Sequence, residues 1–99
     1  MAYERLVGLQ VVDEGLYRAY REAMTPILKG YGGGFRYDFK IQEVLQGEAA
    51  HPINRVFLMV FQDLESKNAF FNDPGYKAIR QKFYEPAVLN STVIAEYER

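Results

Sequence analysis

Every position from Val56 to Phe61 is apolar. Side chains alternate across a strand, so Val56, Leu58 and Val60 share one face and Phe57, Met59 and Phe61 the other. A strand with one wet face reads apolar, polar, apolar. The unbroken run therefore predicts a strand, Asn54–Gln62, near the middle of a sheet and covered on both sides. A short buried helix gives the same run, but β-branched and aromatic content favours the strand.

The remaining elements follow from changes of period. Arg5–Val12 reads as a first strand, with Val7, Leu9 and Val11 on one face and Leu6, Gly8, Gln10 and Val12 on the other. Gly8 leaves room for a neighbour to approach. Asp13 can cap a helix by accepting from its first free amides. Leu16, Tyr20, Ala23, Ile27 and Tyr31 then follow the helical period. Pro26 interrupts that pattern and predicts a kink near Met24 or Thr25. Gly30 and Gly32–Gly34 end the helix. Because these glycines follow a helix instead of preceding one, they do not make a phosphate cradle.

Phe35–Leu45 alternates as a second strand, Phe35, Tyr37, Phe39 and Ile41 against Arg36, Asp38, Lys40 and Gln42. The phase slips at Glu43–Leu45, which predicts a bulge or bend there. Gln46–Ile53 is a loop. After the central strand, Asp63 caps a short helix to about Phe71. Asp73 with Pro74 restarts it, and Tyr76, Ile79 and Phe83 continue a buried stripe. Glu85 stands before Pro86 and predicts the helix end. Ser91–Tyr97 is the last strand.

Strand, helix, strand, strand, helix, strand is the order of a ferredoxin-like βαββαβ sandwich, an α+β class with a four-stranded antiparallel sheet. Right-handed crossovers put both helices on one face. The other face of Val56–Phe61 then stays wet unless something covers it. An apolar patch of that kind marks an interface, and pairing with a second copy is the economical cover. A homodimer through the open sheet face is the expectation.

Composition narrows the function without naming it. Ninety-nine residues make a single domain, 1–99. The formal net charge of −1 offers no basic field for nucleic acid or an acidic membrane surface. With no cysteine, disulfides, thiolate metal sites and a cysteine nucleophile are excluded. One histidine cannot make a multi-histidine metal site. No apolar run approaches the ~20 residues of a membrane helix, and Met1–Leu6 does not read as a secretion signal. A cytoplasmic protein without metal or cofactor is expected.

Candidate chemistry lies in three places. If Phe35, Tyr37, Phe39 and Ile41 pack under the helices, then Arg36, Asp38, Lys40 and Gln42 point together toward the space between two paired sheets. With Gln10 and Glu96 they could line a polar pocket. Alternating charge on an edge strand, placed to discourage aggregation, explains the same row. His51 could act as a general base, or be a solvated loop residue. Tyr76, Arg80 and Tyr84 fall at four-residue steps on one helix face, where they could hold an anionic or planar ligand. A snorkelling arginine on packed rings is the plainer account. Asp38, Lys40, His51 and Tyr84 are the catalytic candidates, and Gln10, Arg36, Tyr76, Arg80 and Glu96 the ligand-binding ones.

An ordered set of pieces also resembles a known family. Tyr17 and Tyr20, Pro26, Tyr31-Gly32-Gly33-Gly34, the Asn54–Phe61 strand, Ala69-Phe70-Phe71 and Asn72-Asp73-Pro74-Gly75-Tyr76 resemble the short bacterial proteins of domain-of-unknown-function family 1330, in the dimeric α/β-barrel superfamily. The chain departs from many members in an uninterrupted Tyr37–Ile41, in Phe83 where an arginine is common, and in lacking tryptophan. The resemblance implies a ferredoxin-like protomer that pairs face to face with a second copy. It also implies kinship with small monooxygenases, isomerases and ligand-binding modules. Two functions follow as expectations: a metal-free enzyme acting on a small organic molecule, or a non-catalytic homodimer that binds a metabolite or partner.

Overall fold

A computed structural model describes residues 1–99. The elements are β1 (Tyr3–Val11), α1 (Glu14–Gly30), β2 (Gly34–Lys40), β3 (Arg55–Phe61), α2 (Leu64–Asn72), α3 (Pro74–Ile79), a π-helical turn (Arg80–Tyr84), α4 (Glu85–Ala87) and β4 (Val88–Glu98). All strand pairs are antiparallel, in the order β2-β3-β1-β4. The apolar run is thus an inner strand of a ferredoxin-like sheet, as its two greasy faces require.

The starts of α1, α2 and α3 use the predicted caps. Asp13 accepts from the Leu16 amide at 3.0 Å, Asp63 from Ser66 at 2.7 Å and Asp73 from Tyr76 at 2.9 Å. Helix α1 runs through Pro26 as one element, and the Thr25 hydroxyl donates to the Arg21 carbonyl at 2.6 Å. Beyond its end Gly32 takes φ +74°, where a Cβ would also strike the Gln62 side chain.

The core lies between helices and sheet. Val7, Leu9 and Val11 of β1 and Phe57, Met59 and Phe61 of β3 pack against Tyr17, Tyr20, Met24 and Leu28 of α1, with Phe70 and Tyr76. Helices cover only this face. On the opposite face Tyr37 and Phe39 remain 52% and 51% exposed. The segment after β2 folds over one end of that face. Ile53 lies against Gly8, where a Cβ would stand 2.9 Å from its Cδ1. Asn54 pins the segment by exchanging two hydrogen bonds with the Val11 backbone at 2.8 Å.

Three expectations need correcting. Strand β2 stops at Lys40, and its register break falls between Phe35 and Tyr37, not at Glu43–Leu45. Glu85 keeps helical geometry before Pro86 (φ −58°, ψ −43°), so the helical stretch continues to Ala87. A π turn lies immediately upstream, and Glu85 keeps the helical geometry that a residue before proline usually avoids. Strand β4 accordingly begins at Val88 instead of Ser91.

Candidate functional site

The bulge at Arg36 decides where the charged row goes. Phe35 stays on the helix side, edge-on to Phe57 with centroids 5.5 Å apart. One extra residue then shifts the alternation. Tyr37 and Phe39 consequently turn to the open face, with Arg36, whose Nη1 donates to Glu4 at 2.7 Å. Asp38 and Lys40 turn to the helix side. The row therefore does not line one wall between two sheets. Gln10 is on the open face, accepting from Asn90 at 2.9 Å. Glu96 is on the helix side, paired with Lys67 at 2.9 Å.

Asp38 is the centre of a closed ionic cluster under the first half of α1. Arg55 donates to both its carboxylate oxygens at 2.9 Å, and Arg21 donates to one at 3.0 Å. Arg21 also donates to the Tyr17 hydroxyl at 2.9 Å and lies 3.9 Å over the Phe35 ring. Partial burial disfavours the Asp38 carboxylate, but the two arginines outweigh that and hold its pKa below the ordinary value. Lys40 stands 4.0 Å from Glu14 at the rim.

His51 is not simply solvated. Its Nδ1 lies 2.7 Å from the Pro52 carbonyl and its Nε2 2.6 Å from the Thr92 hydroxyl on β4. It ties the β2–β3 connection to the sheet beside an apolar hollow of about 710 Å³, lined in part by Ile41, Val44, Leu45, Ile53, Val56 and Ile94.

The third location is a cleft of about 170 Å³ between helices and sheet. Strand β1 contributes Arg5 and Val7, and β3 contributes Phe57 and Met59. Ser91 and Val93 come from β4, Tyr20 from α1, Phe71 from α2 and Tyr76 from α3. The π turn adds Arg80 and Tyr84. Tyr20 and Tyr76 hydroxyls share a hydrogen bond of 2.8 Å, and Tyr20 and Tyr84 rings are 5.0 Å apart. Arg80 lies 4.8 Å over the Tyr84 ring and Arg5 4.7 Å over Phe71. Burial pushes all three phenols up, so they are neutral hydroxyls near neutral pH. Two arginines and four hydroxyls face this space, and no Asp, Glu or His lines it.

The fold thus gathers Tyr76, Arg80 and Tyr84 in one cleft and scatters the other candidates. Glu96 approaches the cleft only through Arg5, 4.0 Å away. Arg5, Tyr20 and Ser91 are cleft residues that the sequence reading missed. Arg5 carried a signal: it sits in phase with Val7, Leu9 and Val11, a charge on a face otherwise destined for the core. No group of three or more His, Cys, Asp and Glu side chains converges anywhere in the structure. No helix is long and apolar enough to cross a membrane.

The fold has close counterparts. A protein of unknown function from Rhodopseudomonas palustris superposes with a TM-score of 0.81 at 18% identity, covering 99% of this chain and 82% of that one. A dabb-family protein with a ferredoxin-like fold from Mesorhizobium loti gives 0.70 at 14% identity, covering 99% and 96%. A dimeric ferredoxin-like protein of unknown function from Jannaschia sp. gives 0.58 at 19%, covering both chains fully (100% and 100%). No protein of curated function matches the sequence. Residues 5–97 match the family described as Domain of unknown function (DUF1330), and the chain belongs to that family.

Proposed function

We propose that this protein is a cytoplasmic homodimer that pairs through its open sheet face and takes a small organic molecule into the helix–sheet cleft. The observation that carries the cleft is the convergence of donors there: Arg5, Arg80, Tyr84 and Ser91 around rings from Tyr20, Phe71 and Tyr76. Such a lining suits a ligand with an apolar body and a hydrogen-bond acceptor. The dimer reading rests on Tyr37 and Phe39, large rings half-exposed on the face the helices do not cover, and on the dimeric Jannaschia neighbour.

Catalysis without a metal is the reading we favour. A neutral phenol beside a bound carbonyl can donate a hydrogen bond that stabilises a developing oxyanion. Tyr84 is the hydrogen-bond donor in this scheme, with the Tyr20–Tyr76 pair behind it. One observation supports the alternative of a non-catalytic binding module: the lining holds no carboxylate or imidazole base.

Amide chemical shifts followed during titration with a library of small organic molecules test the site. Shifts gathering around Arg5, Tyr20, Phe71 and Tyr84 support it. Shifts gathering around Asp38 and Arg55 sink it. For a molecule that is turned over, Tyr84→Phe should lower kcat by about 100-fold, the lower end for a lost oxyanion donor. Unchanged turnover leaves the binding module. Sedimentation tests the dimer: Tyr37→Asp combined with Phe39→Asp should yield protomers, and a wild-type protein that sediments as a protomer at micromolar concentration refutes it.

A further inference from the structure

We infer that the cleft selects a small carboxylate carried on a single ring, and that Arg5 is the residue that recognises the carboxylate. This rests on the reading that the helix–sheet cleft is the ligand site.

Arg5 Nε is the one buried side-chain nitrogen or oxygen in the chain with no hydrogen-bond partner. Nε is sealed from solvent, so the orphan marks a guanidinium that makes no hydrogen bond with the chain, and a ligand in the cleft would meet its outer nitrogens. Glu96 does not fill the role. Its Oε1 lies 4.0 Å from Arg5 Nε, beyond hydrogen-bond reach, and it is engaged by Lys67 at 2.9 Å. The Tyr20 and Tyr76 hydroxyls are occupied with each other at 2.8 Å.

Charge and shape point the same way. Arg5 and Arg80 are the ionised groups of the lining; their nearest carboxylates, Glu96 at 4.0 Å and Glu85 at 3.9 Å, stand outside it and beyond hydrogen-bond reach. A guanidinium presents a planar fork that matches a carboxylate with two parallel hydrogen bonds. The remaining walls are mostly apolar or aromatic, Val7, Phe57, Met59 and Phe71 among them. The volume of about 170 Å³ sets the size. An apolar cavity of roughly 150 Å³ holds benzene, so one six-membered ring fills this cleft and leaves room for a compact charged group. A carboxylate is the smallest oxyanion that uses both prongs of the fork.

Calorimetric titration of the whole protein with benzoate, benzamide and phenyl phosphate tests this, with amide shifts reporting where each binds. Benzoate should bind in the cleft at least tenfold more tightly than its neutral isostere benzamide. Arg5→Gln should abolish that preference and Arg80→Gln should largely retain it. Equal affinity for benzoate and benzamide overturns the inference while leaving a ring-binding cleft in place. Tighter binding of phenyl phosphate overturns the carboxylate class. A preference that follows Arg80 overturns the role of Arg5. If none of the three probes perturbs cleft residues, the ligand site itself is misplaced and both readings fall. Should Arg5→Gln not fold, the acid-to-amide ratio of the wild type and of Arg80→Gln decides: a preference kept in both assigns the carboxylate to Arg5, and one lost with Arg80 overturns that role.

Discussion

Two arginine-rich regions flank helix α1, and they differ in what their donors do. On the β2 side Arg21 and Arg55 close around Asp38, with every contact between 2.9 and 3.0 Å. On the β4 side Arg5 and Arg80 line a cleft with no carboxylate among its walls, and Arg5 Nε has no partner. The first region is a finished structural clasp. The second is looser, its arginines 4.0 and 3.9 Å from their nearest carboxylates, Glu96 and Glu85. Density of charge alone therefore does not mark a site here; the proposed cleft is set apart by donors that the chain leaves without hydrogen bonds. Tyr17 and Tyr20 repeat the contrast on one helix. Tyr17 accepts from Arg21 within the clasp, while Tyr20 faces the cleft.

The largest expected effect comes from acid. Burial disfavours the charged forms of Asp38 and Glu4, yet their arginine and tyrosine hydrogen bonds hold both pKa values below ordinary ones. A carboxyl depressed in the folded state contributes stability above its unfolded pKa, about 4. That contribution disappears as pH falls through the lower folded value. Urea unfolding across a pH series should show stability falling below about pH 4, and Asp38→Asn should flatten part of that fall. A pH-independent curve would mean the clasp contributes nothing.

Asp38→Ala at neutral pH comes next. It leaves two guanidiniums facing each other, and should cost about 1–2 kcal/mol, moderated because the cluster is partly exposed. Ligand binding in the cleft should stay within twofold of wild type. A larger change would show that the two regions are coupled. Tyr20→Phe strands the buried Tyr76 hydroxyl and should cost about 1 kcal/mol in chemical denaturation. Combining it with Tyr76→Phe should cost less than the sum of the two, since each removes the same bond. The smallest effect is expected from Arg80→Ala. Its side chain is 46% exposed, so losing its stacking on Tyr84 should cost about 0.5 kcal/mol in stability.

Much of the fold is written in periodicity. Val56–Phe61 announces an inner strand, and Asp13, Asp63 and Asp73 announce their caps. The trio Tyr76, Arg80, Tyr84 is also visible, because helical spacing aligns them. What escaped is set by single-residue slips. The bulge at Arg36 leaves no mark on the alternating pattern, yet it sends Tyr37 and Phe39 to one face and Asp38 and Lys40 to the other. Nor does local chemistry mark a π turn, or the persistence of helical backbone at Glu85. Arg5 escaped for a different reason. Its phase places it among core residues, but only the three-dimensional neighbourhood reveals that its nitrogen is unmatched.

The π turn carries a consequence for how members of such a family diverge. Within it the Glu85 amide bonds back to Arg80, five positions earlier in place of the usual four, which accommodates one surplus residue. Deleting a single codon there would restore ordinary winding and rotate Arg80 and Tyr84 of the cleft wall relative to each other. The sheet and its caps would be untouched. One short helical stretch can thus absorb an insertion or deletion that reshapes the cleft wall, without any change in the load-carrying framework.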